Sequence, residues 1–265
     1  MAEPVITFLS DYGLADEFVG VCHGVIARAC PAARVIDLGH GIARGDVLGG
    51  AVVLADALPF LPVGVHLAVV DPGVGGPRRA LALALADGRL LVGPDNGLLS
   101  LAAAAGGGVL EAAEISDSRF ALRPVSASFH GRDLFAPVAA ALAGGAALVD
   151  AGVPVAPDSL AALRLPRPHV DGSELVAHVL IVDRFGNLSL DARGETVGQV
   201  PGLSGERVTL GGVAARRART FADVQPGGLL LYEDSRGRLA VAVREGDAAL
   251  RLGLHSGDEL RIGPP

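Results

Sequence analysis

The amino-acid sequence predicts an α/β protein with an N-terminal α/β domain over residues 1–165 and a smaller, mainly β, barrel-like domain over residues 172–265. In the first half, short apolar runs rich in β-branched residues alternate with stretches of helical spacing, a pattern typical of βαβ units and a largely parallel sheet. In the second half, strand-like runs follow one another with little helical spacing between them. These two sequence patterns predict two different domains in one chain.

The predicted elements can be placed in order along the chain. The N-terminal strands are expected in VITFLS, ARVIDLG, VHLAVVD and RLLVGPD, and the helical stretches EFVGVCHGVIARAC and DVLGGAVVLADALPF separate the first three. The segment LAALRLPRPHVDGSE carries two prolines and little periodicity, which indicates a domain boundary. The C-terminal strands are expected in LVAHVLIVD, ERVTLGG, LLLYED, RLAVAVRE and DELRIG.

Composition limits the classes of function. The 265 residues are half hydrophobic, and no apolar run reaches the roughly 20 residues that a membrane helix needs, so a cytoplasmic protein is expected. A net charge of −7 without a long basic run favours a small-molecule partner over nucleic acid or a membrane. All 22 Lys+Arg residues are arginine, which excludes a Schiff-base lysine and a Walker A lysine at GVGG. Cys22 and Cys30 are expected to be core thiols.

Aspartates end three of the predicted strands. Asp11 follows VITFLS, Asp71 ends VHLAVVD and Asp95 ends RLLVGPD. In a parallel sheet these positions share the carboxyl edge, where open α/β sheets bind ligands. Capping of a following helix is the alternative: it is favoured for Asp95, whereas Asp11 fits either role. Asp71 precedes a proline and no amphipathic helix begins there, so its carboxylate needs another partner.

Arg78 is the candidate partner of Asp71, because the PGVGGP turn between them is short enough to fold the chain back on itself. A buried carboxylate that faces an arginine is an ionised acceptor, which can hold and polarise a water molecule. In SFHGRDLFAP, His130 and Asp133 precede an apolar helix. A lone histidine is more often structural than catalytic, and the spacing alone does not show that Asp71, Arg78 and His130 meet.

Five motifs carry a resemblance to a known family. In order they are FLSDYG, VVDPGVGGPRR, GPDNGLLS, FHGRDLFAP and VDRFGNLSL, and they resemble the S-adenosyl-L-methionine (SAM) hydrolases (adenosine-forming), also called SAM hydroxide adenosyltransferases. This family is related to the SAM-dependent fluorinase and chlorinase. The likeness covers nearly the whole chain, and five ordered motifs are far more specific than one. The resemblance implies hydrolysis of SAM to adenosine and L-methionine by attack of water at the ribose C5′ carbon, with inversion.

The resemblance assigns the catalytic roles to Asp71, Arg78 and His130. Asp71 is expected to accept a hydrogen bond from the attacking water, Arg78 to fix the carboxylate, and His130 to complete the pocket. The leaving group is a neutral thioether that departs from a sulfonium, so it needs no acid, whereas water is a weak nucleophile that needs orientation. We therefore expect no cofactor and no metal, with SAM as the substrate.

The resemblance also implies residues that bind the substrate. In the N-terminal domain, Asp11 is expected to bind both ribose hydroxyls and Asp16 the methionine end. The C-terminal domain is expected to supply Asp183 for the methionine ammonium, Ser235 and Arg236 for its carboxylate, Asn187 for the adenine edge, and Phe185 and Phe221 for the adenine ring. A position in the β-domain core is the alternative for each phenylalanine.

Two further features follow from the comparison with the family pattern. The segment VREGDAA has Arg244 and Asp247 where the pattern has asparagines, so backbone contacts to adenine are expected there. The family also implies a homotrimer in which the site lies between subunits.

Three other functions stay open. The first is a SAM-dependent halogenase: the fluorinase pattern has a tyrosine and a serine in its halide pocket, where this chain has Asp71 and Gly131, and a tryptophan at the place of Gly45. A carboxylate repels a halide by roughly 4 kcal/mol for unit charges about 4 Å apart at an effective dielectric near 20. A SAM- or nucleoside-binding module without turnover would use the same binding residues. A metal-dependent hydrolase would use Asp11, Asp71 and His130, but no HxH or HExxH spacing supports it.

Overall fold

The structure, a computed structural model, describes residues 3–198, 200, 202–203 and 205–265. The chain divides into two compact units, an N-terminal unit that ends at Leu163 and a C-terminal unit that starts at Arg164. Each unit has its own sheet and its own hydrophobic core. Among the described residues, no helix has both the length and the apolar character needed to cross a membrane.

The N-terminal unit combines strands with helices that lie between several of them, as an α/β fold does. Its strands are β1 (Val5–Ser10), β2 (Arg34–Gly39), β3 (Val65–Val69), β4 (Ala80–Leu85), β5 (Leu90–Pro94), β6 (Val109–Glu114) and β7 (Val153–Val155). Its α-helices are α1 (Phe18–Ala29), α2 (Val47–Ala57), α3 (Ser100–Ala105), α4 (Ala136–Ala143) and α5 (Leu148–Ala151). A short π-helix (Gly131–Phe135) leads into α4, and Leu58–Phe60 and Pro157–Ser159 form 3₁₀ turns.

The sheet of this unit runs in the order β2-β1-β3-β5-β4-β6-β7. The neighbours β1–β2, β1–β3 and β3–β5 are parallel, whereas β4, β6 and β7 pair antiparallel. The prediction of an α/β domain is therefore confirmed, with an antiparallel extension that the sequence reading did not place. The parallel strands β1, β3 and β5 bring their carboxyl ends side by side, which is the edge where the three aspartates were expected.

The core of the N-terminal unit lies on both faces of the sheet. Successive side chains of a strand point to opposite faces, so Phe8 packs on the face covered by α1 and α4, and Leu9 on the face covered by α2 and α3. Both side chains are fully buried. Cys22 and Cys30 are free and buried in the first of these clusters, as predicted.

The C-terminal unit is a closed β-barrel. Its strands are β8 (His169–Asp171), β9 (Glu174–Val182), β10 (Leu188–Arg193), β11 (Arg207–Leu210), β12 (Val213–Arg217), β13 (Leu229–Glu233), β14 (Arg238–Val243) and β15 (Glu259–Gly263), with short helices α6 (Gly194–Val197) and α7 (Ala248–Leu252) and a 3₁₀ turn at Phe221–Asp223. The order is β10-β14-β13-β12-β11-β15-β9-β8, and pairing of β9 with β10 closes seven strands while β8 extends β9. The predicted barrel-like domain is confirmed.

Candidate active site

Three aspartates lie at the carboxyl edge of the parallel strands. Asp11 follows β1, Asp71 lies two residues beyond β3, and Asp95 follows β5. The predicted capping role of Asp95 is wrong: the residue that precedes α3 is Leu99, which makes no side-chain cap. Asp95 instead accepts hydrogen bonds from Arg79 Nε at 2.7 Å and from the backbone N–H of Ala161 at 2.8 Å. It therefore fastens the segment around Ala161 to the sheet.

Asp71 and Arg78 form a part-buried ion pair. The guanidinium Nε donates to both carboxylate oxygens of Asp71 at 3.0 Å, and Nη2 donates to Oδ2 as well. The two side chains are only 5% and 11% exposed, so solvent screens this pair weakly. Arg78 also lies 5.3 Å from the centre of the Phe135 ring, which packs against the guanidinium. The partner expected from the sequence is the partner that the fold supplies.

His130 joins this pair, and its hydrogen bond fixes its tautomer. Arg78 Nη2 lies 2.7 Å from His130 Nδ1. Because a guanidinium only donates, Nδ1 must be the acceptor, and the proton of the neutral ring lies on Nε2. Burial, and then the charge of Arg78, lower the pKa of His130 below its ordinary value. The ring is therefore neutral at pH 7 and offers an N–H donor from Nε2.

The loop between Asp71 and Arg78 is shaped by a close approach at Gly75. This residue has a φ of +76°, and a Cβ atom there would overlap the carbonyl oxygen of Ala127. Ala127 belongs to the segment that leads to His130. A glycine at this position therefore lets the loop and the His130 segment lie against each other, which brings Arg78 and His130 within hydrogen-bond distance.

A cavity of about 210 Å³ lies beside these groups. It is smaller than the roughly 300–1,000 Å³ of typical small-molecule pockets, so the N-terminal unit encloses only part of a nucleoside-sized ligand. A Cβ atom on Gly131 would overlap the Tyr12 hydroxyl, so the ring of Tyr12 occupies the space that any other residue at 131 would fill. The lining residues are Asp11, Tyr12, Phe18, Val69, Asp71, Val74, Ser128, Phe129, His130 and Gly131.

Sequence reasoning missed the aromatic wall of this cavity. Tyr12 and Phe18 lie 6.0 Å apart between ring centres, and Phe129 lies within 5.8 Å of both. Burial raises the pKa of Tyr12 well above its ordinary range, so its hydroxyl stays protonated. The signal was present in the sequence, because Tyr12 follows Asp11 and Phe129 precedes His130.

Asp11 and Asp16 have different surroundings. Asp11 lines the cavity, and its Oδ2 accepts a hydrogen bond from the backbone N–H of Gly45 at 2.9 Å. No described residue donates a hydrogen bond to its other oxygen, Oδ1, which leaves that atom for a ligand. Asp16 lies on the exposed loop before α1, and it is not among the described residues that line the cavity. The N-terminal unit thus groups Asp11 with Asp71, Arg78 and His130, but leaves Asp16 at the surface.

In the C-terminal unit, Asp183 and Asn187 lie together in the turn between β9 and β10. Asp183 Oδ1 accepts from the backbone N–H groups of Phe185 and Asn187 at 2.8 and 2.9 Å, and Oδ2 accepts from Asn187 Nδ2 at 2.8 Å. Phe185 is 67% exposed at the tip of this turn, so the alternative of a core position is wrong. The Arg184 guanidinium lies 5.4 Å from the centre of the Phe185 ring, and the exposed part of the ring can stack on a ligand.

Ser235, Arg236 and Phe221 lie in other loops of the barrel. The Ser235–Arg236 turn is held by Asp234, whose Oδ1 accepts from the backbone N–H of Arg236 at 2.8 Å. Phe221 is 43% exposed, and its ring centre lies 5.2 Å from that of Tyr232. Burial, and then the charges of Asp183 and Asp234, raise the pKa of Tyr232 to about 12. Tyr232 thus packs beside Phe221 and feels the charges of Asp183 and Asp234, an arrangement that the sequence did not reveal.

Arg244 and Asp247 serve the barrel itself. Arg244 Nη1 donates to the carbonyl oxygen of Val224 at 2.8 Å, and Asp247 caps α7 by accepting from the backbone N–H of Leu250 at 2.7 Å. Both side chains are thus engaged in internal hydrogen bonds. This agrees with the expectation that backbone groups, rather than these side chains, are the available contacts in VREGDAA.

Larger grooves and other polar clusters lie away from the predicted residues. A groove of about 680 Å³ in the C-terminal unit is lined by arginines of β12 and by Tyr232 and Glu233, but by none of the predicted binding residues. The smaller N-terminal cavity is the better candidate, because the polar groups converge there. Among the described residues, the only group of three side chains placed to hold a metal ion is His23, Asp37 and His40, not the set Asp11, Asp71 and His130.

The fold and the site together define a class: an α/β unit with a carboxylate, guanidinium and imidazole cluster at its sheet edge, followed by a small β-barrel unit. The family model of the SAM hydroxide adenosyltransferase N-terminal domain matches residues 6–152, and that of the C-terminal domain matches residues 177–261. The chain therefore belongs to the SAM hydroxide adenosyltransferase family.

Individual relatives agree with this assignment. The chain is 55% identical over 98% of its length, and 97% of the relative's, to an (R)-S-adenosyl-L-methionine hydrolase of Salinispora tropica. A fluorinase of Actinoplanes sp. is 29% identical over 96% of this chain and 95% of its own. A crystal structure of an uncharacterized conserved protein from Thermotoga maritima superposes with a TM-score of 0.86 at 37% identity, covering 97% of this chain and 99% of that one. The chain is thus more similar to the hydrolase than to this fluorinase.

Proposed function

We propose that this chain hydrolyses S-adenosyl-L-methionine, in the R configuration at the sulfonium sulfur, to adenosine and L-methionine. The observation that carries the proposal is the cluster of Asp71, Arg78 and His130 beside the aromatic-walled cavity. The R configuration comes from the name of the Salinispora relative.

The reaction is a displacement at C5′ of the ribose. The water oxygen forms a bond to C5′, the C5′–S bond breaks, and its electron pair moves to sulfur, which leaves as the neutral thioether of methionine. One water proton stays on the 5′-hydroxyl of adenosine and the other is released to solvent. No acid is needed at sulfur, so the work of the site is to orient and polarise the water.

In the proposed reaction, Asp71 holds that water. A carboxylate has about four lone-pair positions, and the bonds from Arg78 leave capacity on its oxygens for a further donor. The same bonds lower the nucleophilicity of the carboxylate, which favours direct attack by water over a covalent ester on Asp71. His130 is neutral, with its proton on Nε2. It therefore adds no positive charge beside the cationic sulfonium.

Halide is disfavoured as the nucleophile in place of water. The Asp71 carboxylate lines the cavity, and it repels a halide by roughly 4 kcal/mol at about 4 Å and an effective dielectric near 20. Arg78 partly offsets this repulsion, but its Nε and Nη2 groups are already engaged by Asp71 and His130. Hydrolysis is therefore the preferred outcome.

Substrate binding by the remaining residues is part of the proposal. Asp11 binds the ribose hydroxyls, Asp16 the methionine end, and the turns of the barrel bind the amino acid and adenine through Asp183, Phe185, Asn187, Phe221, Ser235 and Arg236.

The family resemblance supports a cytoplasmic homotrimer with the site between subunits. Light scattering should report a trimer or a multiple of it, and a monomer at full activity would contradict a shared site.

Turnover is tested with the two sulfonium epimers of SAM, each with and without EDTA. Adenosine and methionine are expected from the R epimer regardless of the chelator. Binding without turnover would indicate a binding module, and loss of turnover with EDTA while SAM still binds would indicate a metal-dependent hydrolase. A halogenated adenosine in the presence of fluoride or chloride would indicate a halogenase.

The origin of the oxygen separates two mechanisms. A single turnover in ¹⁸O-labelled water, with enzyme in excess, should yield adenosine that carries the label on its 5′-hydroxyl. Unlabelled adenosine from that turnover would mean that an Asp71 ester passed on an oxygen of the protein.

A further inference from the structure

A second polar cluster lies at the edge strand β2 of the N-terminal sheet. His23 comes from α1, Asp37 from β2, and His40 follows the end of β2. His23 Nε2 lies 2.9 Å from Asp37 Oδ1, and His40 Nε2 lies 3.0 Å from the same oxygen. Two parts of the chain, α1 and the end of β2, thus point nitrogen and oxygen atoms at one place.

The spacing of these atoms suits a metal ion. One possible ligand atom from each residue lies within 4.8 Å of the other two. Zinc binds histidine nitrogen and carboxylate oxygen at about 2.0–2.2 Å, which places tetrahedral ligands about 3.3 Å apart. Both histidine–aspartate separations are within a few tenths of an ångström of that value. The side chain of His23 is 35% exposed and can rotate to adjust its distance to His40.

A buried hydroxyl supports the ring of His40 from behind. Ser10 Oγ lies 2.7 Å from His40 Nδ1, and the His40 side chain is only 2% exposed. The hydroxyl can donate to Nδ1 when Nε2 carries the proton, and accept from Nδ1 when Nε2 uses its lone pair for a ligand. A hydrogen bond to the second nitrogen is what metal-bound histidines almost always have.

The opposite side of the cluster is open. Asp37 is 41% exposed and His23 is 35% exposed, so an ion has an entry path and room for water as a further ligand. Two imidazoles and one carboxylate suit transition metals such as zinc, whereas magnesium and calcium prefer oxygen ligands alone.

We propose that His23, Asp37 and His40 bind one divalent transition-metal ion of the zinc type, which ties α1 to β2. The ion has a structural role, because none of its ligands is in the Asp71, Arg78 and His130 cluster. The proposal does not depend on the proposed hydrolase activity.

The metal site is connected to the segment that carries Asp11. The backbone carbonyl of His40 accepts from the N–H of Gly13 at 2.7 Å, and Ser10 Oγ accepts from the N–H of Tyr12 at 3.3 Å. An ion that holds His40 in place therefore stabilises the segment from Ser10 to Gly13. The expected effect is a higher melting temperature with bound metal.

Isothermal titration of untagged, chelator-treated protein with zinc chloride tests the site. We expect binding of one equivalent, an increase in melting temperature on binding, and no comparable binding of magnesium chloride. His23→Gln and Asp37→Asn should each weaken zinc affinity at least roughly tenfold, and Ser10→Ala, which keeps all three ligands, should weaken it by roughly 10- to 100-fold. His255→Gln is the matched control, because His255 is an exposed histidine next to an aspartate, Asp258, in the C-terminal unit.

Each outcome decides the proposal. His23 is at the surface, so circular dichroism should show that His23→Gln stays folded even if Asp37→Asn does not. Stoichiometric binding that His23→Gln weakens and His255→Gln leaves unchanged supports the site. Failure of the wild-type protein to bind one equivalent of zinc overturns it, and so does an unchanged affinity in His23→Gln.

Discussion

The polar residues of the N-terminal unit and those of the C-terminal unit differ in how tightly the protein holds them. Asp71 and Arg78 are 5% and 11% exposed and are fixed by several charge-assisted hydrogen bonds, one of which reaches His130. In the barrel, Phe185 is 67% exposed, and the hydrogen bonds that described residues donate to the Asp183 side chain come from its own turn. The N-terminal cluster is built before substrate arrives, whereas the barrel turns present groups at a surface.

The difference in burial between the two units corresponds to two tasks, catalysis and substrate recognition. A displacement reaction needs a water site held in one geometry, which favours buried and cross-linked side chains. Recognition of a charged amino acid and a base needs exposed donors, acceptors and an aromatic face. Substitutions in the N-terminal cluster are therefore expected to change kcat, and those in the barrel turns to change KM.

The largest effect is expected from Asp71→Asn. The substitution keeps the shape of the side chain but removes the charged acceptor for water, so turnover should fall by roughly 10² or more while SAM still binds. Steady-state kinetics and isothermal titration with SAM measure the two quantities. Asp95→Asn is the matched control, because Asp95 pairs with Arg79 in the same unit. It should keep turnover within about twofold, and near-normal turnover in Asp71→Asn would remove the role given to that residue.

The adjacent arginines show how far the sequence could predict this site. Arg78 and Arg79 enter β4 in succession, and successive side chains of an extended chain point to opposite sides. Arg78 therefore reaches Asp71, and Arg79 reaches Asp95. The first pairing was predictable from the short PGVGGP turn. The pairing of Arg79 with Asp95 was not predictable. The other oxygen of Asp95 accepts from the backbone N–H of Ala161, which is 66 residues further along the chain.

Other features were visible only in the fold. The barrel closes through the pairing of β9 with β10, and the N-terminal sheet gains the antiparallel strands β4, β6 and β7. Short apolar runs such as ALALAL do not state their partners or their direction, so the strands were expected but not their order. His23, Asp37 and His40 have no familiar motif spacing, and only the packing of α1 beside β2 unites them.

The pH dependence of kcat/KM tests whether His130 acts as a neutral imidazole in the N-terminal cluster. Burial and the charge of Arg78 lower the pKa of His130 below its ordinary value of about 6.5. The neutral ring accepts from Arg78, and protonation would replace this bond with repulsion beside a cationic substrate. We expect kcat/KM to stay level as pH falls to 6.5, and to drop roughly tenfold per pH unit below the lowered pKa.

His130→Gln is the control for that profile. Its overall rate should be lower, and it should lack the part of the acid limb that His130 contributes. A decline in the wild-type protein that starts above pH 6.5 would contradict the neutral, Arg78-bound imidazole.

In the barrel, Asp183→Asn should raise KM for SAM roughly tenfold and leave kcat within about twofold. The amide keeps an oxygen for the N–H groups of Phe185 and Asn187, but it loses the charge that is proposed to attract the methionine ammonium. Asp258→Asn is the matched control, since Asp258 accepts a backbone N–H from His255 in an exposed turn of the same unit. A fall in kcat with unchanged KM would mean that Asp183 acts in the chemical step. It would contradict the assignment of catalysis to the N-terminal unit and of binding to the barrel.

The smallest effect is expected from Gly75→Ala, which tests whether the loop holds the catalytic cluster in place. Gly75 has a φ of +76°, and an added Cβ would overlap the Ala127 carbonyl oxygen. The added Cβ would lie 2.4 Å from that oxygen, so the loop and the His130 segment should move apart by at least about 0.6 Å, which should lower kcat about threefold with KM nearly unchanged. Gly212→Ala is the control, because Gly212 has a φ of +79° with nothing within 4 Å of its added Cβ. Both variants carry the cost of an alanine at positive φ, of order 1 kcal/mol in stability, but only Gly75→Ala should slow the reaction. Equal kinetics in the two variants would mean that the Arg78–His130 contact does not depend on this close approach, and that the rigidity of the N-terminal cluster has another source.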